Sequence, residues 1–299
     1  MAEYEPTVRS RELGDEVRAL LEEAGLSGRQ AAEALGWSQS DLSRLLHGKR
    51  GIKETDIATL LGVCRAKPDR REKILQLCRE ANKPGWWQQH GSRLPRQLRT
   101  LIDHEDNALT IGDYQATLVP GLLQTGDYAR ALLRDAGAVP QEEIDERVAA
   151  RLARQNIFGR ATPTGYTFFI HEFVLRLPVG GETVMSDQLH HLLRMSVRTN
   201  ISIRVVPASV GAHAGIAGSF RLMEFATIKP VVYLESETST LFLESEAEIA
   251  AYRRILEVLA STALGEEQSR ELIRRVVIEL YRDREDRHEH TQMGWDLLA

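Results

Sequence analysis

Residues 26–51 read LSGRQAAEALGWSQSDLSRLLHGKRG, two short helical patterns joined by a tight turn. Ser27 stands where a helix N-cap belongs, and Ala31, Ala32 and Leu35 follow at helical spacing. Gly36 then offers the left-handed conformation that reverses a chain at a helix C-terminus. Ser38 caps the next helix, whose Leu42, Leu45 and Leu46 form an apolar stripe, so Gln39, Ser40, Ser43 and Arg44 face away from it. The small Ala31 and Ala32 pair permits close helix packing. Leu13, Val17, Leu20 and Leu21 before the stretch, and Ile57, Leu60, Leu61 and Val63 after it, predict flanking helices. The expected module is a compact bundle of four or five helices.

Small polar and basic side chains at the start of the second helix suit the major groove. Gln pairs bidentately with adenine, Arg with guanine, and Ser with several partners. Ser38, Gln39, Ser40, Ser43 and Arg44 are therefore candidate base readers, and His47, Lys49 and Arg50 follow where phosphates would lie. An ordinary helical hairpin would share the caps, the glycine turn and the stripes. The length of the turn and the flanking helices favour double-stranded DNA as the partner. One such module reads half a site, so a homodimer on half-sites about 34 Å apart is expected.

Through LSGRQAAEALGWSQSDLSRLLHGKR the chain resembles the Xre family of lambda-repressor-like and Cro-like regulators. The resemblance implies a transcriptional regulator, with Gln39 where the family has its recognition-helix glutamine. Where many members place a glutamine directly after the first capping serine, this chain has Gly28, followed by Arg29 and Gln30. The phosphate contact usual at that position passes to Arg29 or Gln30 in this reading.

With 299 residues, 42% hydrophobic and 27% charged, the composition is that of a globular chain long enough for two domains. No run of 18 apolar residues occurs, and MAEYEPTVRSRE at the N-terminus has no apolar core, so a cytoplasmic protein without membrane contact is expected. Cys64 and Cys78 sit among apolar helix positions and read as buried free thiols. The net charge of -5 is unevenly spread. Residues 1–65 hold 9 Lys and Arg against 11 Asp and Glu, residues 66–99 hold 9 against 3, and residues 100–299 hold 20 against 29. The positive excess falls just after the helix-turn-helix, where Arg70, Arg71, Lys73, Arg79 and Lys83 lie on or near a helix over about 68–82. That face is either simply solvated or a further phosphate contact.

Pro84, Gly85, Gly91 and Pro95 break the pattern, while Trp86 and Trp87 argue for an ordered hinge rather than a tether. The expected organisation is a helix-turn-helix domain over 1–83, a hinge over 84–97, an α+β regulatory or partner-binding domain over 98–284 and a tail over 285–299. Within the second domain, residues 98–116 read as a helix. In VPGLLQTGDYARALLRDAG, residues 119–137, Pro120 and Gly121 bend the chain, Leu122 and Leu123 plug an apolar surface, Thr125 caps a helix and Gly137 ends it. Residues 141–158 form another helix. YTFFIHEFVLR, ISIRVVP, SFRLMEF, PVVYLES and TLFLES read as strands, the last three as an antiparallel meander, and helices over about 185–198, 246–262 and 266–282 complete the domain. The fold class expected is multidomain, an all-α N-terminal module followed by an α+β domain with a mainly antiparallel sheet.

WW at 86, VPGLLQTGDYARALL at 119, RVAARLARQ at 147, HEFVLRLPVGG at 171, QLHHLL at 188, VVPASVGAHAGIAGSF at 205 and VVYLES at 231 resemble the antitoxin-like regulatory domain that accompanies the Xre head in high-GC bacteria. The resemblance implies a regulator paired with a small protein encoded next to it. Trp86, Trp87, Leu122, Leu123 and Gln124 are the candidate partner or ligand residues. A partner surface requires Leu122 and Leu123 exposed; a small-molecule sensor requires them buried around a closed cavity. Catalysis is not expected. His190 and His191 point about 100° apart on a helix, His171 and Glu172 in a strand would face opposite ways, and no HExxH, GxSxG, phosphate loop or cysteine cluster occurs. No metal or cofactor is expected.

Overall fold

The computed structural model describes residues 7–82, 94–137, 139–160, 164–226, 228–236 and 239–295. The chain divides into two compact units, residues 1–107 with 225–229, and residues 108–224 with 230–299.

The first unit holds six described helices: α1 (Val8–Glu23), α2 (Gly28–Leu35), α3 (Gln39–Leu46), α4 (Glu54–Val63), α5 (Pro68–Ala81) and α6 (Arg96–Asn107). Their ends follow local chemistry. Thr7 with Ser10 and Ser27 with Gln30 form reciprocal capping boxes at the starts of α1 and α2, and Gly36 ends α2 at φ 65°. Arg65, at φ 52°, takes the left-handed position after α4, where its neighbour Ala66 donates from its amide to the Leu61 carbonyl. Leu13, Val17, Leu20, Ala31, Ala32, Leu42, Leu45, Ile57, Leu61, Ile74 and Cys78 close into one core.

Residues 98–107 were expected in the second domain, yet α6 packs on α1. The Asp103 carboxylate accepts from the Val8 amide, and Arg9 Nε donates to Asn107 Oδ1 at 3.2 Å. The hinge residues Trp86 and Trp87 lie outside the described residues.

The second unit is built on a six-stranded mixed sheet in the order β3-β2-β1-β4-β5-β6. The strands are β1 (Thr110–Gln115), β2 (Gly165–His171), β3 (Ile201–Val206), β4 (Phe220–Glu224), β5 (Val231–Glu235) and β6 (Thr240–Leu243). β1, β2 and β3 pair in parallel because helices carry the chain between them: α7 (Gly126–Ala136) and α8 (Ile144–Arg154), then α9 (Glu172–Arg176) and α10 (Gly181–Met195). β4, β5 and β6 form the expected antiparallel meander, joined to β1 by an antiparallel pair. Tyr114, Phe169, Val206, Phe220, Leu222 and Val232 share one core with Ile249 and Leu259 of α11 (Glu246–Thr262). The last helix, α12, runs Glu266–Trp295.

Two sequence expectations are corrected here. The helix expected over 98–116 stops at Asn107, and residues 110–115 form a central strand. Its polar Asp113 is fully buried because Arg221, directly opposite on β4, donates to it from Nε at 2.8 Å. An added Cβ on Gly112 would stand 2.6 Å from Leu256 Cδ1 of α11, which would have to turn aside. The strand expected to run to Arg176 ends at His171, whose Nδ1 accepts from the Phe173 amide at 3.2 Å and so caps α9. His171 and Glu172 therefore do not alternate across a sheet.

Candidate nucleic-acid interface

The second helix of the helix-turn-helix is held from below by α1. An added Cβ on Gly14 would stand 2.6 Å from the Leu46 carbonyl oxygen, and one on Gly48 would stand 2.8 Å from the Arg11 amide nitrogen. That closeness lets α1 satisfy carbonyls that the end of α3 leaves open: Arg18 Nη2 donates to Leu46 O at 2.7 Å, and Ser10 Oγ donates to Gly48 O at 2.9 Å. At the other end Ser38 Oγ accepts from the Asp41 amide at 3.1 Å, and the Trp37 amide donates to Ala32 O at 2.8 Å. Leu42 and Leu45 are buried beneath, so the helix has little freedom to roll.

Above that anchored stripe Gln39, Ser40, Ser43 and Arg44 are all exposed. Ser38 is exposed too, but its hydroxyl is engaged in capping. Arg29 and Gln30 are exposed at the start of α2; Gln30 Oε1 is committed to Ser27 at 2.8 Å, and Arg29 lies 3.7 Å from Glu33. Lys49 and Lys53 are exposed and carry no ion pair among the described residues, and Arg50 is half-buried.

Sequence reading missed Asp41 and Trp37. Asp41 Oδ1 receives Arg44 Nη2 at 2.5 Å and also pairs with Arg50 Nη1, while the Arg50 guanidinium lies 4.2 Å from the centre of the Trp37 ring. The Ser38 hydroxyl and then the Arg44 guanidinium hold the Asp41 carboxyl down at about 2. The spacing of three between Asp41 and Arg44 was a visible signal. The return of Arg50 was not.

The basic face of α5 is largely neutralised within its own unit. Arg70 pairs with Glu23 at 2.5 Å and Glu16 at 3.3 Å, Lys73 with Glu16 at 2.6 Å, and Arg79 with Glu54 at 2.6 Å. Three of the five cations, Arg70, Lys73 and Arg79, are thus tied to α1 and α4, which weighs against the phosphate-contact alternative for this face. Arg71 is exposed, and Lys83 lies outside the described residues.

In the second unit Leu122, Leu123 and Gln124, candidates for either a protein partner or a ligand, present no exposed surface to a partner protein. Both leucines are fully buried, and Gln124 is 3% exposed. Gln188, itself buried, accepts from the Thr125 amide and donates to Leu123 O, both at 2.7 Å. Gln124 Nε2 donates to Val119 O at 2.7 Å, and Arg151 Nη1 donates to Gln124 Oε1 at 2.7 Å. The turn locks the fold. Burial, then neighbouring Arg154, lowers Arg151 to about 10.

A separate cleft of about 930 Å³ lies between the sheet and α11 and α12, lined in part by Thr167, Phe169, Leu222, Leu256, Arg198 and Arg270. It does not include the PGLLQT turn. Among the described residues no group of three or more His, Cys, Asp and Glu side chains is placed to hold a metal ion, and no helix is long and apolar enough to cross a membrane.

Residues 12–74 match a family model described as a helix-turn-helix domain, and residues 98–275 match one described as a domain of unknown function, DUF5753. The chain belongs to the DUF5753 family. No curated protein and no solved structure matches it. The helix-turn-helix match covers α2 and α3 with most of their anchoring helix α1, and points to a DNA-binding regulator rather than an enzyme. The DUF5753 match begins within α6, a helix that packs with the first unit.

Proposed function

We propose that this chain is a sequence-specific transcriptional regulator of Xre type that binds double-stranded DNA in the cytoplasm as a homodimer. The observation that carries the reading is a rigidly mounted α3 with Gln39, Ser40, Ser43 and Arg44 exposed at its start and Lys49 beside its end. In this reading Gln39 and Arg44 contact base edges, Ser40 and Ser43 support them, and Arg29, Lys49 and Arg50 meet phosphates. Gln30 keeps its amide nitrogen for a phosphate, since its oxygen is engaged by Ser27.

Selection of duplexes from a random pool by the full chain tests the assignment. Arg44→Ala and Gln39→Ala should each weaken the selected duplex by about 1–3 kcal/mol while leaving thermal unfolding unchanged. A preference that survives both substitutions would remove these side chains from base reading.

The second domain, in this proposal, answers to a small protein encoded next to it, in an antitoxin-like pairing. The support is the sequence resemblance of residues 86–281. Trp86 and Trp87 remain as its candidate contact residues, whereas Leu122 and Leu123 are withdrawn. Co-expression of the neighbouring small protein should yield a complex on size exclusion, and elution as separate species would defeat the pairing. A second reading, control by a small molecule, is favoured by the cleft beside α11, whose size suits a ligand.

A further inference from the structure

We infer that Asp41 is a positioning residue for sequence discrimination, holding Arg44 and Arg50 so that the head favours its own base sequence over arbitrary DNA. The inference rests on the DNA-reading assignment above.

Three groups meet at this carboxylate, and a fourth, the Trp37 ring, lies against one of them. Ser38, the cap of α3, donates to Oδ2 at 2.7 Å; Arg44, in the following turn, donates to Oδ1 at 2.5 Å; Arg50, from the loop after α3, pairs with the same oxygen while resting on Trp37, the residue before the cap. The Asp41 side chain is 22% exposed and that of Arg44 54%, so the carboxylate sits low and the guanidinium stands out from it.

Two physical consequences raise discrimination. An arginine on an open helix surrenders rotamer freedom when it docks on guanine, and one anchored through a single Nη2 contact surrenders less while keeping its other donors for a bidentate contact. A carboxylate at the start of the recognition helix also opposes the phosphate backbone. It therefore subtracts from the attraction that drives binding to any sequence. An isolated exposed ion pair would fix its arginine only weakly, being worth little in water. Here one carboxylate organises two arginines and a ring.

The test compares the duplex selected by the unmodified full chain with a scrambled duplex of equal length, over a range of salt. Asp41→Asn should tighten the scrambled duplex, steepen the dependence of log affinity on log salt by up to about one unit, and lower the ratio of selected to scrambled affinity about tenfold. Asp41→Glu, which keeps the charge on a longer stem, should leave the salt slope in place and still lose part of the ratio. Glu72→Gln, the same charge change on exposed α5, controls for net charge and should leave the ratio alone. Thermal unfolding of each variant separates a local effect from loss of the fold. An unchanged ratio in Asp41→Asn, or an equal fall in Glu72→Gln, overturns the inference. If the unmodified chain enriches no sequence at all, the DNA-reading assignment falls first, and visibly so before any substitution is made.

Discussion

Gly14 shows how much the candidate interface depends on a residue with no side chain. It faces the Leu45 and Leu46 carbonyls, and the 2.6 Å that an added methyl would leave cannot be relieved by a rotamer change because the obstacle is backbone. Gly14→Ala should therefore destabilise the first unit by about 1–3 kcal/mol in denaturant unfolding, by driving α1 from α3. Unaltered stability would mean that α1 does not seat α3 as described. Gly28 contrasts with it: an added Cβ there would meet only Leu42 Cδ2 at an ordinary 3.8 Å, so nothing steric demands a glycine after the first capping serine. The N-caps at Ser27, Ser38 and Thr125 and the left-handed glycines 36 and 137 were legible in the sequence because each acts on residues at most five positions away.

Two elements owe their place to buried carboxylates. On α6, burial first of all pushes Asp103 from its ordinary 3.8 up to about 7, against the lowering effect of the Val8 amide. A carboxyl raised by folding contributes stability that is complete below its unfolded pKa and is lost as pH rises through the folded value. Unfolding free energy should accordingly fall between about pH 4 and pH 7, by up to the order of 4 kcal/mol from this group. Asp103→Asn should flatten that fall, and a profile of unfolding against pH reads it directly. In β1, Asp113→Ala would remove the carboxylate that the buried Arg221 pairs with and cost about 3–5 kcal/mol, whereas Asp113→Leu combined with Arg221→Met should recover most of the loss. Equal losses in the single and double variants would contradict the pairing. The same ion pair explains why β1 went unread: TIGDYQ offers two large apolar side chains among Gly, Asp and Gln, and its strand character depends on Arg221, over a hundred residues away.

At the scale of the molecule, a single helix-turn-helix domain contributes half of a DNA site. Footprinting should protect two half-sites about 10 base pairs apart, centre to centre, and sedimentation should find a dimer on that duplex. Protection of one half-site by one chain would remove the dimer from the proposal. The sequence alone determined the helix-turn-helix, the end points of α2, α3 and α7, the β4-β5-β6 meander, α11 and the start of α12, because these follow from caps and periodicity within short windows; α12 itself runs on to Trp295, past its expected end near 282 and into the residues expected as a tail. Tertiary structure decided the rest. It buried Leu122 and Leu123 under Gln188, paired Arg70, Lys73 and Arg79 with carboxylates of α1, α4 and α5, made residues 110–115 a central strand, and brought Arg50 back onto Asp41 and Trp37. The burial of a side chain and the partner of a charge depend on chain segments far apart in sequence, which no local pattern records.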